Sequence, residues 1–234
     1  MDTSALSPFT GLLLESSLFQ GFSQSELEHI LGCLTPSIRG FAKGEIIQMA
    51  GYPTRQIGIL LAGQLQAMKT TPDGTKVSIA TLQKGGIFGD VLSASGTKSP
   101  VTVLAVQPCR ILFLSADKIM RPCPSGHGCH LKLLQNWVCT ISEKYFSLNR
   151  RVDFLILKGM RTKLCTYLLE QSQQAGADTF TISLSRAALA EYLNCERSAL
   201  CRELSRMRQE GLIETYKNSF KLLNKPQMEQ HCQR

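Results

Sequence analysis

Apolar and polar positions follow two different periods along the chain. Through residues 41–115, β-branched and apolar residues come in short runs at 45–49, 57–61, 64–69, 77–82, 101–106 and 110–114. Turn signals at Ala62-Gly63, Pro72-Asp73-Gly74 and Lys84-Gly85-Gly86 separate them. Short, regularly spaced strands of this kind predict an antiparallel β-roll, jelly-roll-like in character. Ahead of it, Ser23-Gln24-Ser25-Glu26 spells a capping box for a short helix through Leu27, Ile30 and Leu31.

Beyond Pro124 the period becomes helical. Leu131, Leu134, Val138, Ile141, Tyr145, Leu148, Val152 and Leu155 alternate three- and four-residue steps, an unbroken a/d seam. Its flanks carry Lys132, Gln135, Thr140, Ser142, Lys144, Ser147, Arg151 and Asp153. A helix lying only on its own domain would show a broader apolar stripe. The narrow seam therefore predicts a dimerisation helix that pairs with a second copy, in a parallel homodimer. Gly159 interrupts this helix and reads as a hinge; a second helix then runs from residue 161 to about 174 and stops at Ala175-Gly176.

The stretch 181–223 carries the clearest chemistry. Ser185 suits the N-cap of a helix whose Leu189, Ala190 and Leu193 face inward. Asn194-Cys195 then makes a tight turn, and residues 196–209 form the next helix. That helix sets Ala199, Leu200, Leu204 and Met207 on one face and Arg197, Ser198, Cys201, Arg202, Ser205, Arg206 and Arg208 on the other. Two helices joined by so short a turn, with the basic face on the second, predict a helix-turn-helix and its recognition helix. Residues 214–223 read as two short strands around Lys217-Asn218-Ser219, a wing from which Lys217 and Lys221 would face phosphates. The alternative is a solvated face balanced by Glu196, Glu203 and Glu210.

Composition sharpens this picture. The chain has 234 residues, enough for one large or two modest domains, with 43% hydrophobic and 19% charged residues, as in a folded globular protein. Nine cysteines, odd in number and irregular in spacing, argue for reduced thiols rather than a disulfide framework. The start carries no positive region and no apolar run approaches a membrane span, so the expectation is a cytoplasmic protein without a membrane partner. The net charge is +8, of which the shorter part, 150–234, holds +5, and this favours a polyanionic partner. The sequence contains no Gly-x-Ser-x-Gly elbow, no Walker loop and no His-Glu-x-x-His, and its four histidines surround no obvious nucleophile. It is not expected to be an enzyme.

The order of β-roll, heptad helix and winged helix resembles the CRP/FNR family of bacterial transcription regulators. So do the runs Phe41-Ala42-Lys43-Gly44-Glu45, Ile59-Leu60-Leu61-Ala62-Gly63 and Gly86-Ile87-Phe88-Gly89-Asp90, and the stretch from Ser185-Arg186 to Arg202. The resemblance implies an α+β chain with an N-terminal effector-sensing roll (1–125), a dimerisation helix (126–158) and a C-terminal winged helix-turn-helix (159–234). It further implies a regulator binding double-stranded DNA as a homodimer at a near-palindromic operator, with RNA polymerase as a partner if it activates. By similarity Arg197, Ser198 and Arg202 read bases, and Ser185 and Arg186 contact phosphates. Ser198 and Cys201 depart from the glutamate and the small or hydroxyl residue common at these places, which leaves the operator sequence open.

Cyclic-nucleotide-binding relatives hold the phosphate with a Gly-Glu pair and an Arg-Ser or Arg-Thr pair. Here Gly89-Asp90 resembles the first, but Ser99-Pro100 stands at the second, with Lys98 beside it. Cyclic AMP is disfavoured, since a bidentate charge-assisted contact is lost and proline removes a backbone donor. An iron-sulfur cluster lacks its ligands, because only Cys33 precedes the roll. Cys123, His127, Cys129 and His130 lie within eight residues, a spacing that suits zinc, an iron centre or redox-active thiols, with Cys139 further along. The alternative makes Cys123 and Cys139 buried structural residues and His127 and His130 solvent-facing. An unknown small effector, or haem, is the other option, in a pocket drawn from Gly89, Asp90, Lys98, Ser99, Val101, Val103, Tyr145, Leu148 and Asn149. A ligand- or redox-sensing module acting through protein contacts instead of DNA is the rival function.

Overall fold

The computed structural model describes residues 3–121 and 128–232. It divides into two compact units that part between Glu143 and Lys144.

The first unit opens with a 3-10 segment (Thr3–Phe9), α1 (Thr10–Glu15), a 3-10 turn (Ser17–Phe19) and α2 (Gln24–Leu34). The capping box of α2 is formed: Ser23 Oγ accepts from the Glu26 amide at 3.2 Å, and the Glu26 carboxylate accepts from the Ser23 amide at 2.7 Å. Strands β1 (Ser37–Phe41), β2 (Ile46–Gln48), β3 (Gln56–Ala62), β4 (Leu65–Thr70), β5 (Lys76–Leu82) and β6 (Ile87–Phe88) follow. Next come α3 (Asp90–Ser95), β7 (Thr102–Ala105), β8 (Cys109–Ser115) and α4 (Ala116–Met120). The strands pair antiparallel as two sheets, ordered β1-β8-β3-β6 and β2-β7-β4-β5, the arrangement of a jelly roll.

Alternation along β3 and β8 explains why this roll has two cores. Ile57, Ile59, Leu61, Leu112 and Leu114 point to the N-terminal helices, where Leu13, Leu18, Phe19, Leu27 and Ile30 meet them. Leu60, Ile111 and Phe113 point the other way, toward Leu65, Ala67, Val103 and Ala105 of the second sheet. The central strands β3 and β8 are thus buried on both faces, and they read as near-continuous apolar runs. At Gly58 a Cβ would stand 2.2 Å from the Phe88 ring, so that ring occupies the space a side chain would need.

The long helix α5 (Cys129–Ile156) starts in the first unit and ends in the second. Its first half carries more apolar surface than the seam alone. Cys129, Leu133 and Trp137 are buried in the core behind β3 and β8, and Thr140, read as a seam flank, is also buried. The seam residues Leu131, Val138, Tyr145, Leu148, Val152 and Leu155 are left 43–63% exposed within the single chain, while Leu134 and Ile141 are half-buried.

The second unit holds the rest of α5, then α6 (Met160–Ala175), β9 (Thr179–Thr181), α7 (Arg186–Tyr192), α8 (Arg197–Gln209), β10 (Ile213–Tyr216), β11 (Ser219–Leu222) and α9 (Lys225–Cys232). Gly159 does break the helix, at φ 85°, and Gly176 closes α6 in the left-handed conformation at φ 63°. The unit boundary nonetheless falls inside α5, sixteen residues before Gly159. The physical reason is Phe154, 1% exposed, whose ring meets Tyr167 at 6.2 Å and Tyr192 at 5.4 Å; one turn earlier Arg150 pairs with Glu170 at 2.9 Å. The end of α5 therefore belongs to the C-terminal core. Burial also pushes the Tyr167 hydroxyl up to about 12.

Candidate nucleic-acid interface

Helices α7 and α8 form the anticipated helix-turn-helix. The Ser185 hydroxyl accepts from the Ala188 amide at 3.2 Å, which caps α7 and leaves the hydroxyl proton free to donate. The turn closes through the Cys195 amide on the Ala190 carbonyl at 2.9 Å, with Asn194 at φ 50°, a conformation asparagine tolerates. Leu200, Leu204 and Met207 anchor α8 beneath, and Arg197, Ser198, Cys201, Arg202, Ser205, Arg206 and Arg208 are exposed.

Of the three acidic residues that might have balanced this basic face, Glu203 and Glu210 are engaged with α6, while Glu196 stands exposed at the start of α8. Arg161, on α6, donates to Glu203 at 2.6 Å and to both Glu210 oxygens at 2.6 and 2.7 Å. These bonds hold Arg161 protonated well above the ordinary range and draw the Glu210 carboxyl below its own. Glu203 also lies 3.5 Å from Arg206 and is 8% exposed. Its burial was not legible from the sequence, where it counts as one more surface charge. Among the described residues, Arg197, Arg202 and Arg208 have no ion-pair partner.

The wing is the hairpin β10–β11, with β9 added beyond β11. Lys217, at its tip, stands at φ 50°, a strained conformation for lysine, and both it and Lys221 are exposed. Lys221 approaches Glu214 at 3.7 Å, a surface pair of little consequence. Arg186, expected at a phosphate, is half-buried: its Nη2 donates to Thr215 Oγ1 at 2.6 Å and to the Lys217 carbonyl at 2.7 Å, and its guanidinium lies 4.6 Å from the Phe220 ring.

In the roll, Gly89 caps α3 at φ 76°, and Asp90 and Ser99 are 3% and 2% exposed. The Ser99 hydroxyl donates to the Val101 carbonyl at 2.7 Å and accepts from the Val101 amide at 3.3 Å, so it is consumed within its own loop. Lys98 is exposed and Val101 half-buried. With the serine engaged, proline on one side of it and lysine rather than arginine on the other, these residues do not fit the phosphate of a cyclic nucleotide, and the nearby Arg55 is paired with Asp117. Tyr145, Leu148 and Asn149, expected in the same pocket, belong to the second unit and are exposed.

Of the proposed metal ligands, Cys123 and His127 lie outside the described residues. Cys129 and His130 are 7% and 9% exposed, so His130 does not face solvent, whereas Cys139 does. Among the described residues no group of three or more His, Cys, Asp or Glu could hold a metal ion. No described helix is long and apolar enough to cross a membrane.

Comparison with known proteins agrees with the geometry. The profile of the cyclic nucleotide-binding domain matches residues 38–123, and that of the Crp-like helix-turn-helix domain matches residues 162–231. The global nitrogen regulator of Nostoc sp. (strain PCC 7120) is 22% identical over 196 residues, covering 81% of this chain and 86% of that protein. That of Synechococcus elongatus is 23% identical over 208 residues, covering 82% and 88%. Among solved structures, the catabolite activator protein of Thermus thermophilus has a TM-score of 0.53 at 18% identity, covering 93% of this chain and 98% of its own. A cyclic nucleotide-binding domain from Methylobacillus flagellatus has a TM-score of 0.56 at 17% identity, covering 66% and 88%. A jelly roll matched by the first profile and a winged helix matched by the second, joined by the long helix between them, make the chain a homologue of the CRP/FNR transcription regulators.

Proposed function

We propose that the chain binds double-stranded DNA as a homodimer, at a near-palindromic operator, under control of a signal received by the roll. The observation that carries this reading is the division of charge on α8. Glu203 and Glu210 are spent on Arg161, while Arg197 and Arg202 stand exposed and unpaired on the outer face. A guanidinium so presented can donate to guanine O6 and N7, worth about 1–3 kcal/mol of discrimination per good pair. Ser198 joins them on that face. Ser185, with its hydroxyl proton free, and Lys217 and Lys221 on the wing serve the phosphates.

The exposed α5 seam supplies the two-fold axis. Two recognition helices related by that axis would read half-sites about 34 Å apart. Trp137 Nε1 donates to the Asp90 carbonyl at 3.1 Å, so the start of α3 is tied to α5. An effector that displaces α3 would be felt along the helix that sets the dimer.

The test is a competition assay against random duplex at several salt concentrations. Arg202→Ala should lower operator preference by about 5- to 150-fold and leave non-specific binding nearly intact. Lys221→Gln should weaken all sequences alike and reduce the salt slope by roughly one. Unchanged operator preference in Arg202→Ala would refute the recognition-helix assignment.

A further inference from the structure

Arg186 is the N1 residue of α7, where the family resemblance implies a phosphate contact. Its surroundings describe a different task. One guanidinium nitrogen, Nη2, is shared between the Thr215 hydroxyl, on β10, and the Lys217 carbonyl, in the turn that follows that strand. The guanidinium carbon lies over the Phe220 ring, which in turn stacks on Phe180 at 6.1 Å with an interplanar angle of 20°, so β11 and β9 join this contact while Thr215 ties in β10. Among the described residues no carboxylate pairs with this arginine, and Nη1 is buried without a partner. Burial accordingly lowers its proton affinity from the ordinary arginine value.

We propose that Arg186 is a wing-positioning residue: it fixes the β10–β11 hairpin against α7, and through the Lys217 carbonyl it sets where the Lys217 ammonium stands. The chemistry suits arginine alone. A planar fork can stack on an aromatic face and donate in its own plane at the same time, whereas a lysine ammonium can do only one of these. The wing tip needs such a hold, because Lys217 sits at φ 50° without glycine's freedom, and a hairpin of two four-residue strands is marginal by itself. The DNA arm of the test rests on the reading given under Proposed function; the exchange arm does not.

Hydrogen exchange of the wing amides is measured on the full chain without DNA, for wild type, Arg186→Lys and Thr215→Val. Both variants should exchange at least about tenfold faster in β10 and β11, with α6 unchanged. Thr215→Val keeps a β-branched residue in the strand and keeps the Arg186 charge, so it remains informative if Arg186→Lys folds poorly. In the DNA arm, Arg186→Gln, Lys217→Gln and their combination form a double-mutant cycle. If Arg186 places Lys217, the double variant binds no worse than Arg186→Gln alone, Arg186→Lys does not rescue, and Thr215→Val reproduces much of the loss. Additive losses with rescue by Arg186→Lys would mean that Arg186 is itself a phosphate contact and would overturn the proposal. So would wing exchange that is unchanged in both Arg186→Lys and Thr215→Val. A wild type that binds no DNA would defeat the DNA reading, and the exchange result would still decide the role of Arg186.

Discussion

Leu148→Ala isolates the seam of α5. Leu148 is 63% exposed in the single chain, with polar Ser147 and Asn149 beside it, so the substitution removes little that the monomer uses. Alanine is also at least as good a helix former as leucine, and the helix itself should persist. Truncation deletes three carbons, about 2.4 kcal/mol of burial at roughly 0.8 kcal/mol each. Scaled by the fraction still open to a partner, that is about 1.5 kcal/mol per chain. Symmetry doubles it, to about 3 kcal/mol, or a dimer dissociation constant roughly 150-fold higher. Sedimentation equilibrium across a dilution series reads this directly, with the flanking Gln135→Ala as a control expected to shift it less than about twofold. A Leu148→Ala dimer within threefold of wild type, with the monomer still helical, would refute the claim that this face is the dimer interface.

Phe154→Ala should cost the C-terminal unit about 3–5 kcal/mol in denaturant unfolding, because the ring is 1% exposed between Tyr167 and Tyr192; a loss below about 1 kcal/mol would remove that helix end from the C-terminal core. The Glu210 carboxyl is held low by Arg161, so its contribution is complete above the ordinary carboxylate range and is lost as pH falls through its lowered folded value. Wild type should therefore lose more stability than Glu210→Gln between about pH 5 and pH 3, and identical acid profiles would contradict the pairing. Burial pushes the Cys165 thiol up to about 12, whereas Cys139 and Cys201 are exposed; mass mapping with iodoacetamide at neutral pH should label those two and spare Cys165 until the unit unfolds.

What was legible in the sequence follows from how local each signal is. The α2 capping box, the Ser185 cap, the Gly176 stop and the turn at Asn194 are decided by a few neighbouring residues, and all of them formed. The runs at 57–61 and 110–114 were readable because β3 and β8 are apolar on both faces, and those at 64–69 and 77–82 because turns with glycine bound them. β1, with Arg39 and Gly40 at its centre, and β9, three residues long, owe their existence to partners distant in sequence and were missed. Side-chain roles at the site were legible as exposure but not as pairing. Nothing in Arg161, Glu203 and Glu210 announces a network, since its members stand 42 and 49 residues apart. Arg186 likewise shows its stack on Phe220 only once the wing is folded beside it.

The same contrast explains α5. A heptad seam records the surface a helix keeps for a partner, and that pattern survived in the sequence because polar residues flank it. Leu133 and Trp137 occupy the face beside it in the first half of the helix, where Leu134 and Ile141 of the seam also lean on the same core, and Phe154 anchors the last turn to another core. The burial of Leu133, Trp137 and Phe154 follows from tertiary neighbours and not from the heptad. Trp137 thus packs the start of the helix into the first unit and Phe154 packs its end into the second, while most of the seam stays exposed in the single chain. Trp137 also donates to the Asp90 carbonyl, in the segment where ligand-binding relatives hold a phosphate, although the residues around it here do not suit one. That hydrogen bond uses the backbone carbonyl of Asp90, so the contact between this segment and the helix does not depend on which side chains surround it.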